Sequence, residues 1–315
     1  MIHSLIQGVI NNDHGSISKA ITIIENDESN SKSLLDSLYP ASIRTKRIGI
    51  TGPPGAGKST ITNAIIELII QNNESVGVIA VDPTSPFTGG SLLGDRVRMN
   101  KYPWDDRVYV RSMASNGDLG GIARKTQDVG DILSASGKDY VIYETVGVGQ
   151  NEHDIAKAAD VCIVVLVPES GDEVQMMKAG LIEIADIFVI NKSDRDGAKR
   201  LSTMLKNILH FFPSNQKLEP PIFNTIGTQK EGIRELFSGI ESHIGKMSQE
   251  GYLDRKRLER FRQRVGILVR EELEKSFWSS EKINLLKSLT KKINQISKVP
   301  HSMAKKLLDD SKNGE

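Results

Sequence analysis

The run Gly52-Pro53-Pro54-Gly55-Ala56-Gly57-Lys58-Ser59 has the spacing G-x-x-x-x-G-K-S, and its chemistry is phosphate binding. Glycines let backbone N–H groups curl around an anion, and the N-terminus of a following helix adds partial positive charge. In such a loop Lys58 reaches the β- and γ-phosphates of a nucleoside triphosphate, and the Ser59 hydroxyl ligates Mg2+. The apolar stretch Ile48–Thr51 ahead of the loop predicts a strand, and Ser59–Ile70 behind it predicts a helix. That strand–loop–helix order is the context the motif requires.

A second group of residues addresses the base. Asn191-Lys192-Ser193-Asp194 follows the apolar run Ile187–Ile190, giving N-K-x-D at a strand end. A carboxylate there accepts two hydrogen bonds from the N1–H and N2–H2 edge that guanine has and adenine lacks. A site built to pair such an edge rejects the analogue without it, because its own polar group would be left unpaired. In this reading Asp194 selects guanine, Asn191 approaches the N7 side and the Lys192 stem lies over the ring.

Acidic residues supply a third element. Glu144-Thr145-Val146-Gly147 ends the apolar run Tyr140–Tyr143, in the place where GTPases carry D-x-x-G. There the acid holds Mg2+ through water and the glycine N–H meets the γ-phosphate; Glu144 keeps the charge and lengthens the reach. Val148 occupies the usual place of the water-orienting glutamine, which predicts slow unaided hydrolysis, and Gln150 is the nearby residue that could substitute. Asp82 ends the run Val76–Val81 and faces the ligand crevice if that strand lies beside the phosphate strand; a turn-forming Asp-Pro is the alternative. Asp95, Arg96 and Arg98, after the Gly- and Ser-rich stretch 88–91, are candidates for metal and phosphate contacts. The stretch Pro168–Glu173, leading to Gln175 and Lys178, is a second such loop. Both read equally well as solvated loops or as switches.

The elements that must position these groups follow from periodicity. Between Arg47 and Gly245, short runs apolar on both faces alternate with helical segments: Arg47–Thr51, Val76–Val81, Val108–Val110, Tyr140–Tyr143, Val161–Val167, Ile187–Ile190 and Pro221–Phe223. Such runs fit buried strands of a parallel sheet, and the intervening segments suit crossover helices, so the class is α/β, doubly wound and mainly parallel. Residues 1–44 read as a helical N-terminal extension without chemistry, with Ile17, Ala20, Ile21 and Ile24 as its stripe and Ser16 as a cap. Residues 45–245 form the phosphate-loop domain. Residues 246–315 read as a helical C-terminal packing or dimerisation region, with stripes Leu258, Phe261, Val265, Leu268, Val269 and Leu286, Leu289, Ile293, Ile296, the second stopped by Pro300.

These motifs together resemble the MeaB/ArgK family of P-loop GTPases, chaperones of adenosylcobalamin-dependent acyl-CoA mutases. The resemblance rests on G-P-P-G-A-G-K-S-T at 52–60, V-D-P-T-S at 81–85, G-G-S-L-L-G-D-R-V-R-M at 89–99 and L-G-G-I-A-R-K-T at 119–126. It continues through E-T-V-G-V-G-Q at 144–150, G-D-E-V-Q at 171–175 and N-K-S-D at 191–194. It implies a homodimer that hydrolyses GTP to GDP, slowly alone and faster with its partner, methylmalonyl-CoA mutase or a relative. It also implies gating of cobalamin loading, protection and reactivation. Carried over by position, 52–60, including Thr60, bind nucleotide; Ser59, Asp82, Asp95 and Glu144 surround Mg2+; and Gln175 and Lys178 lie on an additional switch through which the partner speeds hydrolysis, with Lys178 or an arginine expected to be aligned near the γ-phosphate. Thr225-Ile226-Gly227 stand where GTPases commonly carry a Ser-Ala pair whose backbone touches the base, a departure that leaves guanine selection to Asp194.

Composition excludes competing classes. The 41 Lys+Arg against 40 Asp+Glu give a net charge of +1, so bulk charge points to no nucleic-acid partner. Apolar runs fall far short of the ~20 residues that span a bilayer, and the N-terminus lacks a signal-peptide pattern, so a soluble cytoplasmic protein is expected. One cysteine, Cys162, and six scattered His offer no cargo-metal cluster of the kind a nickel-delivery GTPase needs. A P-loop kinase would need an acceptor pocket and no guanine selector. No D-x-H-x-x-G motif for binding cobalamin is present.

Overall fold

The structure, a computed structural model, describes residues 2–83, 102, 105–115, 121–145, 151–168, 180–211, 218–290 and 300–312. Seven strands form one sheet: β1 (Lys46–Thr51), β2 (Val76–Pro83), β3 (Val108–Ser115), β4 (Tyr140–Thr145), β5 (Val161–Leu166), β6 (Ile187–Asn191) and β7 (Ile222–Thr225). Their order is β3-β2-β4-β1-β5-β6-β7, and each neighbouring pair is parallel. Every residue of β4, β5 and β6 is buried, which is why these segments read as continuous apolar runs.

Helices cover both faces. Helix α4 (Lys58–Gln71) and a later helix, Ile233–Gln249, pack on the face bearing Ile48, Ile50, Ile142, Ile163 and Val189. The opposite face carries Ile79, Val141 and Tyr143, which share a core with the N-terminal helices α1 (Ile2–Ile10), α2 (His14–Glu25) and α3 (Ser31–Leu38), and with α5 (Gly121–Ala135) and α6 (Asn151–Ala158). Ile155 of α6 approaches so closely that a Cβ on Gly49 would lie 2.8 Å from its methyl group. Helices α7 (Leu181–Ile184) and α8 (Ala198–Phe211) pack against β5 and β6 through Leu181, Leu201 and Leu205. Numbering continues with α9 (Ile233–Gln249), α10 (Tyr252–Phe277), α11 (Ser280–Leu289) and α12 (Pro300–Lys312).

From β1 the chain moves to β2 and β3, returns to β4 between β2 and β1, and then crosses β1 to β5. The reversal opens a crevice at the C-terminal ends of β1 and β4, where ligands of doubly wound sheets bind. At the opposite edge, two buried carboxylates precede strands. Asp160, ahead of β5, accepts two hydrogen bonds from the Arg257 guanidinium at 2.6 and 3.1 Å. Asp186, ahead of β6, takes Lys256 at 2.7 Å. These contacts tie the second turn of α10 to the residues ahead of β5 and β6.

Two expectations are corrected. The stripe of α2 is buried as its spacing predicts, but the cap is Asp13, whose carboxylate accepts from the Ser16 N–H at 2.7 Å; Ser16 lies inside the helix. Pro300 opens α12 instead of only ending a stripe; proline suits the first helical position, where its missing N–H has no partner to lose. The chain divides into two compact units, Met1–Arg257 and Leu258–Glu315. In the second unit, Leu258, Phe261, Val265, Leu268, Val269 and Leu273 of α10 are 42–63% exposed, an apolar stripe facing solvent.

Candidate nucleotide site

The phosphate loop joins β1 to α4, as its motif predicts. Gly52 has φ +136°, and a Cβ there would sit 2.1 Å from the Val165 carbonyl oxygen; no side chain fits. Gly57 caps α4 at φ +88°, and its missing Cβ leaves room for the Asn191 amide. Lys58, 5% exposed, donates from Nζ to the carbonyls of Gly52 and Pro53 at 2.8 and 2.9 Å. Its charge is thereby held against the loop that it serves.

Glu144 is buried near the end of β4, opposite Ile50 in the β1 register. Its carboxylate accepts from the Ser59 hydroxyl at 2.5 Å. Sequence reasoning placed both at the metal, and the fold brings them together. Two hard oxygen donors at the mouth of a phosphate loop fit Mg2+. The next residue, Thr145, meets Thr51 on the other side: their hydroxyl oxygens are 3.0 Å apart, and both side chains are buried.

Asn191 ends β6 and is 3% exposed. Its Nδ2 donates to the Ala56 carbonyl at 2.8 Å, while Oδ1 accepts from the Thr225 hydroxyl at 3.2 Å and the Gly227 N–H at 3.0 Å. The side chain therefore joins the phosphate loop to the 225–227 segment. Lys192 takes a left-handed conformation, φ +57°, and the Ser193 N–H donates to the Thr225 carbonyl at 3.1 Å. That turn leaves Asp194 exposed beyond the strand end. Ile226 pairs with Glu231 across a short bridge, which closes the 225–231 turn.

Asp82 lies in β2, its backbone paired with Ala114; its side chain lies outside the description. Pro54 and Gly55 sit at the loop's outer turn, exposed or nearly so. Asp95, Val148, Gln150, Gln175 and Lys178 lie outside the described residues. The fold adds residues that the motifs did not indicate: Thr51 and Thr145 under the loop, and Asp160 and Asp186 at the far edge. Cys162 is inert, its thiol pushed up to about 12 by burial.

A parallel sheet reversing beside a phosphate loop, with an N-K-x-D turn tied to that loop, defines a P-loop nucleotide-binding protein of the GTPase class. The family described as methylmalonyl Co-A mutase-associated GTPase MeaB matches residues 17–282. A protein of Pyrococcus abyssi named as a GTPase is 41% identical over 98% of this chain and 97% of its own length. GTPase ArgK of Escherichia coli K12 is 36% identical over 78% of this chain and 76% of its own. The methylmalonic aciduria type A homolog of Mus musculus is 31% identical over 88% and 71%. A solved structure described as LAO/AO transport system kinase superposes with a TM-score of 0.73 at 25% identity, over 99% of this chain and 97% of that one. The chain belongs to the MeaB family and is a GTPase.

Proposed function

We propose that this GTPase is a guanine-nucleotide switch that binds an adenosylcobalamin-dependent acyl-CoA mutase, methylmalonyl-CoA mutase or a relative, and gates loading, protection and reactivation of its cofactor. The observation that carries the switch is the Asn191 bracket, because it makes the base-reading turn and the phosphate loop one rigid unit. The family's description, which names mutase association, supports the partner.

Each group has a role. Asp194 reads the guanine edge, and the Lys192 stem lies along the base. The loop amides of 52–57 cradle phosphate, and Lys58 neutralises the charge that grows between the β- and γ-phosphates. Ser59 and Glu144 would hold Mg2+, with Asp82 and Asp95 completing the acidic surround; bound Mg2+ would screen the phosphate oxygens and orient them. With Val148 in the glutamine's place, water is poorly positioned and unaided turnover is slow. The partner surface would accelerate it by aligning Gln175 and Lys178, so that hydrolysis marks completed delivery. The exposed stripe of α10 supports a homodimer through the C-terminal helices. Size-exclusion chromatography of the protein mixed with methylmalonyl-CoA mutase, run with GDP or a non-hydrolysable GTP analogue, tests the partnership. A nucleotide-dependent shared peak is expected, and separate elution with both nucleotides would refute it for that mutase.

A further inference from the structure

Residues 144 and 145 grip the phosphate loop at both ends. Glu144 takes the hydroxyl of Ser59, just after the loop, and Thr145 meets the hydroxyl of Thr51, just before it. In the parallel ladder Ile50 is opposite Glu144, so Thr51 and Thr145 continue the same rung sequence as the strands end. Alternation along a strand turns Thr145 to the face opposite Glu144.

Apolar packing does not account for two threonines there. Both side chains are at most 2% exposed, among neighbours such as Val164, Val165 and Tyr143 that are apolar or aromatic and equally buried. A valine pair would occupy nearly the same volume without desolvating two hydroxyls. What the hydroxyls add is direction. A hydrogen bond fixes the height of one strand end against the other, whereas a methyl contact tolerates sliding. The height in question is that of Glu144 relative to Ser59.

We propose that Thr51 and Thr145 are a positioning pair, whose hydroxyl–hydroxyl bond sets the Glu144 carboxylate against Ser59 and thereby tunes Mg2+-dependent nucleotide retention and GTP turnover. The proposal rests on the reading of Ser59 and Glu144 as the metal-side donors.

The test uses the full chain and four variants: Thr145→Val, Thr51→Val, the double valine variant and Glu144→Gln. Release of a fluorescent GDP is followed with and without Mg2+, beside GTP turnover and thermal unfolding. A single valine leaves one buried hydroxyl unpaired and lowers the melting temperature; the double variant removes both partners and recovers it. A purely structural pair would therefore recover function together with stability. The proposal predicts otherwise: the double variant melts like wild type, yet turnover stays about five- to tenfold down, the size of one directional hydrogen bond, and Mg2+ slows GDP release less than in wild type. Thr145→Ser, which keeps the hydroxyl, restores both. Wild-type turnover and Mg2+ response in the double variant would overturn the pair's role. If Glu144→Gln itself left the Mg2+ response intact, the underlying reading of Glu144 would fall instead.

Discussion

Replacing Asn191 with Ala probes the joint on which the nucleotide site depends. Three buried hydrogen bonds are lost: to Ala56 at 2.8 Å, to Gly227 at 3.0 Å and to Thr225 at 3.2 Å. The Thr225 hydroxyl can rotate, but the Ala56 carbonyl and the Gly227 N–H are fixed in the backbone. A typical bond contributes about 1 kcal/mol net, and each buried group left unpaired costs about 1–3 kcal/mol. The sum is about 3 kcal/mol or more, which corresponds to roughly a 100-fold loss of affinity if it falls on the bound loops. Fluorescence titration with labelled GDP and GTP measures that loss, and thermal unfolding without nucleotide separates it from global destabilisation. Thr225→Val removes only the 3.2 Å bond, so about 1 kcal/mol, roughly fivefold, is expected. Asn191→Ala should weaken ATP binding in proportion to GTP, whereas Asp194→Asn should act on guanine nucleotides alone. If Asn191→Ala bound both guanine nucleotides within about threefold of wild type, the bracket would not be what organises the site.

Arg257→Ala takes a two-point partner from Asp160, which is 1% exposed and also accepts from the Arg47 N–H, so a buried carboxylate loses its bidentate cation. Destabilisation of about 3 kcal/mol is expected by denaturant unfolding, with GDP affinity of the folded protein unchanged. Lys138, largely buried with its ammonium on the Asp106 carbonyl at 2.8 Å, has its pKa lowered to about 8 by desolvation, against an ordinary 10.5. Between those values the unfolded chain binds more protons than the native state, so the Lys138 contribution to stability rises from about pH 8 to 10.5 and is flat below. Urea unfolding of wild type and Lys138→Gln across that window should show wild type gaining relative to the variant as pH rises; a constant difference would refute it. In α10, residues 252–264 hold six Lys and Arg against two Asp and Glu, and residues 266–277 hold two against three. Arg at both Val265 and Leu268 should convert a dimer to a monomer in sedimentation, with turnover per chain little changed.

Strands β4 to β6 were legible because they are buried at every position, a pattern that polar surfaces cannot imitate. The phosphate loop and the N-K-x-D turn were legible for a different reason: their chemistry is local, and each lies within a few consecutive residues. The Asn191 amide bonded to Ala56 lies 135 residues away in sequence, and which strands stand side by side is not written in any one segment's periodicity. The same limit hid the Thr51–Thr145 pair, since threonine at a strand end is unremarkable until β4 is found beside β1. Asp160 and Asp186 stand ahead of apolar runs without any motif around them; their cations come from α10, 97 and 70 residues later. At the α2 cap, Asp13 and Ser16 both suit the role, and the choice depends on where the α1 chain direction changes.

The most direct test of the central claim is turnover by the purified protein, with GTP and ATP in parallel, in the presence and absence of methylmalonyl-CoA mutase. A guanine switch serving that enzyme hydrolyses GTP slowly, hydrolyses ATP far more slowly still, and speeds up several-fold on GTP alone when the mutase is added. Equal turnover of ATP would contradict the reading of Asp194, and GTP turnover indifferent to the mutase would contradict the partnership.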